Sequence, residues 1–143
     1  MQDQIVQTVG ALFVGEDGQV LLGLRAPWKK VWPGHWDTIG GRVEAGESLD
    51  EALVREVQEE VGVTPTEFKQ IAMVRERQPE TYGDALHYVY AVTKWKGGEP
   101  TNICDEHTEV KWFSVSEMRL LTNIVDCDYP LFAHQALTGE ATS

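Results

Sequence analysis

Three glutamates, Glu56, Glu59 and Glu60, fall within five residues of one another in a segment with helical apolar spacing. At about 100° per residue they share an arc roughly 100° wide on a helix. Leu53, Val54, Val57 and Val61 occupy the neighbouring arc and should face the core. Carboxylates set side by side beside a buried seam repel one another, which costs free energy unless a cation sits among them. Hard divalent cations take oxygen ligands in such an arrangement, and Mg²⁺ also bridges phosphate oxygens. Taken alone, the same three residues also describe an ordinary solvated helix face. The residues around them favour the metal reading. Gly40-Gly41, Glu44, Gly46 and Glu47 lie just upstream. Glycines there let backbone groups approach a metal or a phosphate closely. Arg55 precedes Glu59 by one turn and is placed to orient it.

The full spacing is Gly41, five residues, Glu47, seven residues, then Arg55-Glu56-Val57-Gln58-Glu59-Glu60-Val61-Gly62-Val63. Over these 23 residues the sequence resembles the complete box of the Nudix (MutT-like) hydrolases. The resemblance implies an α/β fold of the α+β type, with a mixed β-sheet sandwiched between helices. It implies hydrolysis of a phosphoanhydride bond in a nucleoside diphosphate-X substrate, with Mg²⁺ or Mn²⁺ as cofactor. By the same resemblance Glu56, Glu59, Glu60 and the carbonyl of Gly40 would ligate the metals, while Glu47 and Arg55 would brace the loop and helix. A further carboxylate is expected on a late loop before the last strand. Glu106 is the first choice, with Asp105 and Glu109 as rivals. Glu56, or else Glu106, would take the proton from the attacking water.

The stretch Gly23 to Val43 holds Arg25, Lys29, Lys30 and Arg42, with Asp37 as its only acid. In an acidic chain this local positive patch is suited to phosphates, although surface lysines are common without a role. Trp28 and Trp32 offer faces for a nucleobase or serve as loop anchors, and Trp36 reads as structural. A nucleoside triphosphate or related nucleotide is the expected substrate. Pro79 resembles the marker of ADP-ribose hydrolases and Tyr82 that of dinucleoside-polyphosphate hydrolases, so both remain alternatives. Ile39 stands where many relatives carry proline, and no asparagine near the C-terminal helix matches the purine reader of the triphosphate-cleaning members. A nucleotide-sensing domain without activity would be marked by lost glutamates, and none is lost. His35, His87, His107 and His134 show no ligand spacing. Cys104 and Cys127 show none either, and read as free thiols. An isopentenyl diphosphate isomerase would want a cysteine close to the box, which neither provides.

The elements that position these residues follow from periodicity. Ile5 to Val14 and Val20 to Leu24 read as a hairpin about the turn Glu16-Asp17-Gly18. Thr38 to Val43 reads as a short strand. A helix runs from Ser48 to about Val61, with a capping box at Ser48/Glu51 and Gly62 as its stop. Phe68 to Glu76, Ala85 to Trp95 and Glu109 to Phe113 read as strands, and Ser116 to Leu121 and Tyr129 to Leu137 as helices. At 143 residues the chain fits one domain, with 138–143 as a loose tail. A formal charge of −11 argues against a nucleic-acid duplex or an anionic membrane as partner. No apolar run is long enough to span a bilayer, and Met1-Gln2-Asp3-Gln4 does not begin a signal peptide. A cytoplasmic enzyme, monomeric or homodimeric, is the expectation.

Overall fold

The computed structural model describes residues 5–139; Met1 to Gln4 and residues 140–143 of the expected tail lie outside them. Strand β1 (Val6–Val14) is the hub of a seven-stranded mixed sheet. It turns through Gly15 to Gln19, where Gly18 takes a φ of +82° beside the Asp17 side chain, into β2 (Val20–Arg25). Two short strands follow, β3 (Trp36–Asp37) on β2 and β4 (Ile39–Arg42) on β1. The same edge of β1 thus carries β4 over Thr8 to Ala11 and β2 over Phe13 and Val14. Its other edge pairs in parallel with β6 (Ala85–Lys96), which carries β5 (Thr64–Arg75) antiparallel on its far side. Strand β7 (His107–Phe113) closes the free edge of β2. Helices α1 (Leu49–Val61), α2 (Pro79–Tyr82), α3 (Val115–Arg119) and α4 (Tyr129–Thr138) complete the described residues.

Alternation along β1 and β2 divides the interior into two cores. Val9, Ala11, Phe13 and Leu21 point to one face, where they meet Leu53, Val57 and Val61 of α1. Leu12, Val20 and Leu22 point to the other, against Met118 of α3 and Phe132 and Ala133 of α4. The mixed sheet between helices is therefore as expected. Helix α1 starts at the Ser48/Glu51 capping box and stops at Gly62 in the left-handed conformation, φ +73°. Ser114 and Glu117 form a second capping box, which starts α3 before the expected Ser116. Strands β5 and β7 begin earlier than expected, α2 and β3 were not anticipated, and Thr138, placed in the tail by sequence, closes α4.

The rotation of α1 matters for the site. Leu53, Val57 and Val61 are fully buried, and each such side chain contributes about 1.5–3 kcal/mol. Ala52, not Val54, completes the buried stripe. That burial holds the helix in an orientation that also carries Glu56 and Glu60 out of water, while Glu59 stays 58% exposed.

Candidate active site

Glu56 and Glu60, one turn apart on α1, are buried beneath β4 and the loop that leads into β7. Carboxylate oxygens of Glu56, Glu60 and Glu106 lie within 4.8 Å of one another. Neither carboxylate oxygen of Glu60 has a hydrogen-bond partner, although the residue is 1% exposed. Burial, then the neighbouring Glu56 and Glu106, push its carboxyl well above the usual range. An ionised carboxylate left so would cost several kcal/mol. A divalent cation among the three acids reverses that cost, and an all-oxygen donor set is what Mg²⁺ or Mn²⁺ takes. The residues therefore fit a metal.

Glycine makes room for the cluster. A Cβ on Gly41 would lie 2.5 Å from Glu56 Oε2, and one on Gly40 would overlap the carbonyl of Val9. Arg55 organises the rim. Its Nε and Nη2 donate to Glu47 at 2.6 and 2.9 Å, and its Nη1 donates to Glu56 and Glu59, both at 3.2 Å. Nη2 also donates to the carbonyl of Arg42 at 3.0 Å. The Arg55 hydrogen bond and the Glu44 backbone hold the Glu47 carboxyl down at about 2. One guanidinium thus ties the β4 exit, the Glu47 loop and α1 together.

A cavity of about 850 Å³ opens over these residues. The NUDIX domain profile matches residues 5–135. The chain belongs to the NUDIX domain family. A CTP pyrophosphohydrolase of Escherichia coli is 33% identical over 129 residues, covering 90% of this chain and 89% of the relative. A nucleoside triphosphatase NudI of Salmonella agona is 32% identical over 127 residues, covering 80% and 86%. The crystal structure of a MutT NUDIX hydrolase from Burkholderia pseudomallei superposes with a TM-score of 0.79 at 25% identity, over 93% of this chain and 98% of that one. The solution structure of the E. coli ORF135 protein gives 0.71 at 29% identity, over 94% and 91%. The chain is a Nudix pyrophosphohydrolase by this membership.

The Nudix cavity gathers all the sequence-predicted site residues except Glu47, which reaches it through Arg55. Among the late-loop acids, Glu106 joins Glu56 and Glu60, Asp105 lines the cavity, and Glu109 is exposed on β7 away from it. Glu106 accepts from Lys29 Nζ at 3.0 Å; burial alone would raise its carboxyl, but Lys29 outweighs that and lowers it. Arg25 is engaged too, donating to Val31 O at 2.7 Å and to Asp37 at 3.3 Å. Lys30 and Arg42 line the cavity with no ion pair among the described residues. Trp28 is 65% exposed at the rim. Trp32 is buried, its Nε1 donating to Glu76 at 3.2 Å and its ring 4.9 Å from Tyr82. Trp36 packs edge-on against Phe113 in the core.

Several residues at the site escaped the sequence reading. Glu76 is buried at the cavity wall, accepting from Trp32, from the Gln78 amide and at 3.0 Å from His87, whose other nitrogen is 2.6 Å from Thr8 Oγ1. These bonds outweigh burial and keep the Glu76 carboxyl below its usual value. His107 is buried with Nδ1 3.5 Å from Glu60 Oε1, and burial pushes its pKa down. Gly23, in the interior of β2, is the signal for it: a Cβ there would lie 2.5 Å from the His107 ring. Cys104, distant from the box in sequence, is brought to Glu60 and His107. Cysteine position therefore does not exclude an isomerase; the hydrolase relatives carry that distinction instead. Asn123 donates to Gly34 O at 3.0 Å and braces the tryptophan loop.

Proposed function

We propose that this Nudix domain hydrolyses a phosphoanhydride bond of a nucleoside triphosphate, with Mg²⁺ or Mn²⁺ held by Glu56, Glu59, Glu60, Glu106 and the carbonyl of Gly40. The observation that carries the reading is Glu60, a buried carboxyl with neither oxygen partnered, facing Glu56 and Glu106 in the wall of a nucleotide-sized cavity. Divalent cations there supply neutralisation of phosphate charge and a more acidic water. Arg55 keeps Glu56 and Glu59 aimed, and Glu47 keeps Arg55 aimed. Glu56 accepts the proton of the attacking water, with Glu106 as the second candidate. Lys30 and Arg42 hold phosphates, and the exposed face of Trp28 covers the base. The substrate class is supported by relatives named as a nucleoside triphosphatase and a CTP pyrophosphohydrolase. No described helix is long and apolar enough to cross a membrane.

The test is a panel of common and oxidised nucleoside triphosphates, ADP-ribose and dinucleoside polyphosphates, with Mg²⁺ or Mn²⁺, following phosphate and pyrophosphate release. Metal-dependent cleavage of a triphosphate, lost in a folded Glu59→Gln/Glu60→Gln double variant, is expected. An active, metal-dependent double variant refutes the ligand assignment. Stoichiometric binding without turnover makes the chain a sensor.

A further inference from the structure

Behind the acidic cluster lies a second set of donors of different chemistry. We propose that Glu60, Cys104 and His107 form a site for Zn²⁺ or a similar borderline-soft divalent cation. Their ligand-capable atoms lie within 4.8 Å of one another. His107 Nδ1 stands 3.5 Å from Glu60 Oε1 and 3.8 Å from Cys104 Sγ. In a tetrahedral zinc site, bonds of about 2.0–2.1 Å to nitrogen or oxygen and 2.3 Å to sulfur set neighbouring donors roughly 3.3–3.6 Å apart. The two separations from His107 need only a few tenths of an ångström of adjustment, and Glu60 and Cys104 lie within 4.8 Å of each other. Carboxylate, imidazole and thiolate together suit zinc, whereas Mg²⁺ shuns sulfur and prefers oxygen.

The mark of a ligand on this side is the oxygen of Glu60 that faces it: Oε1 has no hydrogen-bond partner at 1% exposure and stands 3.5 Å from His107 Nδ1. The frame is fixed from behind. The His107 ring abuts Gly23, where even a methyl group would collide with it. The Asn102 side chain donates to the His107 carbonyl at 2.9 Å, and the Ile103 amide donates to Glu60 O at 3.1 Å, which ties the Cys104 loop to the end of α1. Three protein ligands leave a fourth position open, and all three residues line the cavity. Binding converts the Cys104 thiol to a thiolate, and its proton leaves to solvent. Because Glu60 belongs to both sets, zinc here withdraws it from the acidic cluster and inhibits hydrolysis. That inhibition rests on the function proposed above; zinc binding does not.

Cobalt(II) serves as the spectroscopic stand-in for zinc. The intact chain with Co²⁺ is expected to show thiolate-to-cobalt charge-transfer absorption in the near ultraviolet. Zn²⁺ should erase it. The band should be lost in Cys104→Ser, checked for folding by circular dichroism, and kept in Glu59→Gln. Zn²⁺ should also suppress alkylation of Cys104 while leaving the exposed Cys127 reactive. A cobalt complex with no thiolate band, a band that survives Cys104→Ser, or alkylation of Cys104 unchanged by Zn²⁺ overturns the proposal. None of these readings depends on turnover, so an inactive protein would leave this test intact.

Discussion

Replacing Glu60 with glutamine removes the one carboxyl in the site that the fold buries without a partner, and the consequence for stability can be worked through. In the metal-free protein the folded-state pKa of Glu60 lies well above its ordinary 4.5, because of burial first, the neighbouring Glu56 next and then Glu106. A carboxyl of that kind binds its proton more tightly folded than unfolded. Its stabilisation is complete below pH 4.5 and is lost steadily as pH rises toward the folded value. Each pH unit in that window is worth about 1.4 kcal/mol, so the native state loses about 3 kcal/mol between roughly pH 4.5 and 7. The glutamine of Glu60→Gln has nothing to titrate, keeps the shape, and can donate its amide to Glu56. Thermal unfolding in a chelator, followed by circular dichroism, should show the two chains close together near pH 4.5. At pH 7 the Glu60→Gln melting temperature should be higher by about 10 °C, at roughly 3–4 °C per kcal/mol for a domain of this size. Saturating Mg²⁺ should reverse the order, since only the parent chain gains a full set of ligands. A melting difference that does not change between pH 4.5 and 7, or a variant less stable than its parent at pH 7 in chelator, refutes the reasoning.

Arg55→Lys keeps a charge but loses the fork that holds Glu47, Glu56, Glu59 and the Arg42 carbonyl at once, so kcat should fall about 10²-fold with the fold retained. Steady-state kinetics and circular dichroism on the same sample check it, and near-normal kcat counts against the bracing role. Gly41→Ala sets a methyl group 2.5 Å from Glu56 Oε2 and should lower both kcat and Mg²⁺ affinity. Isothermal titration with Mg²⁺ measures the second effect, and unchanged affinity counts against Glu56 as a ligand. Trp32→Phe removes the indole donor to buried Glu76 and should cost about 1–3 kcal/mol in urea unfolding, because His87 and the Gln78 amide remain. A cost below a few tenths would mean that water replaces the indole.

What the sequence made legible was local. The Ser48/Glu51 capping box and Gly62 bound α1 within a residue, because each end is set by hydrogen bonds among near neighbours. Arg55 and Glu59 meet because they are one turn apart. The depth of Glu56 and Glu60 was not legible, since helical periodicity places them beside the apolar seam without revealing that β4 and the Glu106 loop cover them. His107 and Cys104 escaped for the same reason: their proximity to Glu60 is made by β7 pairing with β2, more than eighty residues of chain away. Strand β3 is two residues long and was lost inside a tryptophan-rich loop, and Ser114, the start of α3, was passed over although its spacing to Glu117 repeats that of Ser48 to Glu51.

The charge balance of the cavity supports the metal-dependent function proposed above. The substrate-side stretch brings four basic residues to the cavity, but Arg25 is committed to Asp37 and Lys29 to Glu106. Lys30 and Arg42 remain, on a chain of net charge −11. A phosphate approaching Glu56, Glu59 and Glu106 therefore meets carboxylates at close range, with Lys30 and Arg42 of the same cavity left to offset them. The Lys29–Glu106 pair sharpens the point. Lysine there lowers the Glu106 carboxyl and holds it ionised, which favours a cation beside it and disfavours a bare phosphate. On the function proposed above, the acids brought together from α1 and the β7 entry would make phosphate binding conditional on metal.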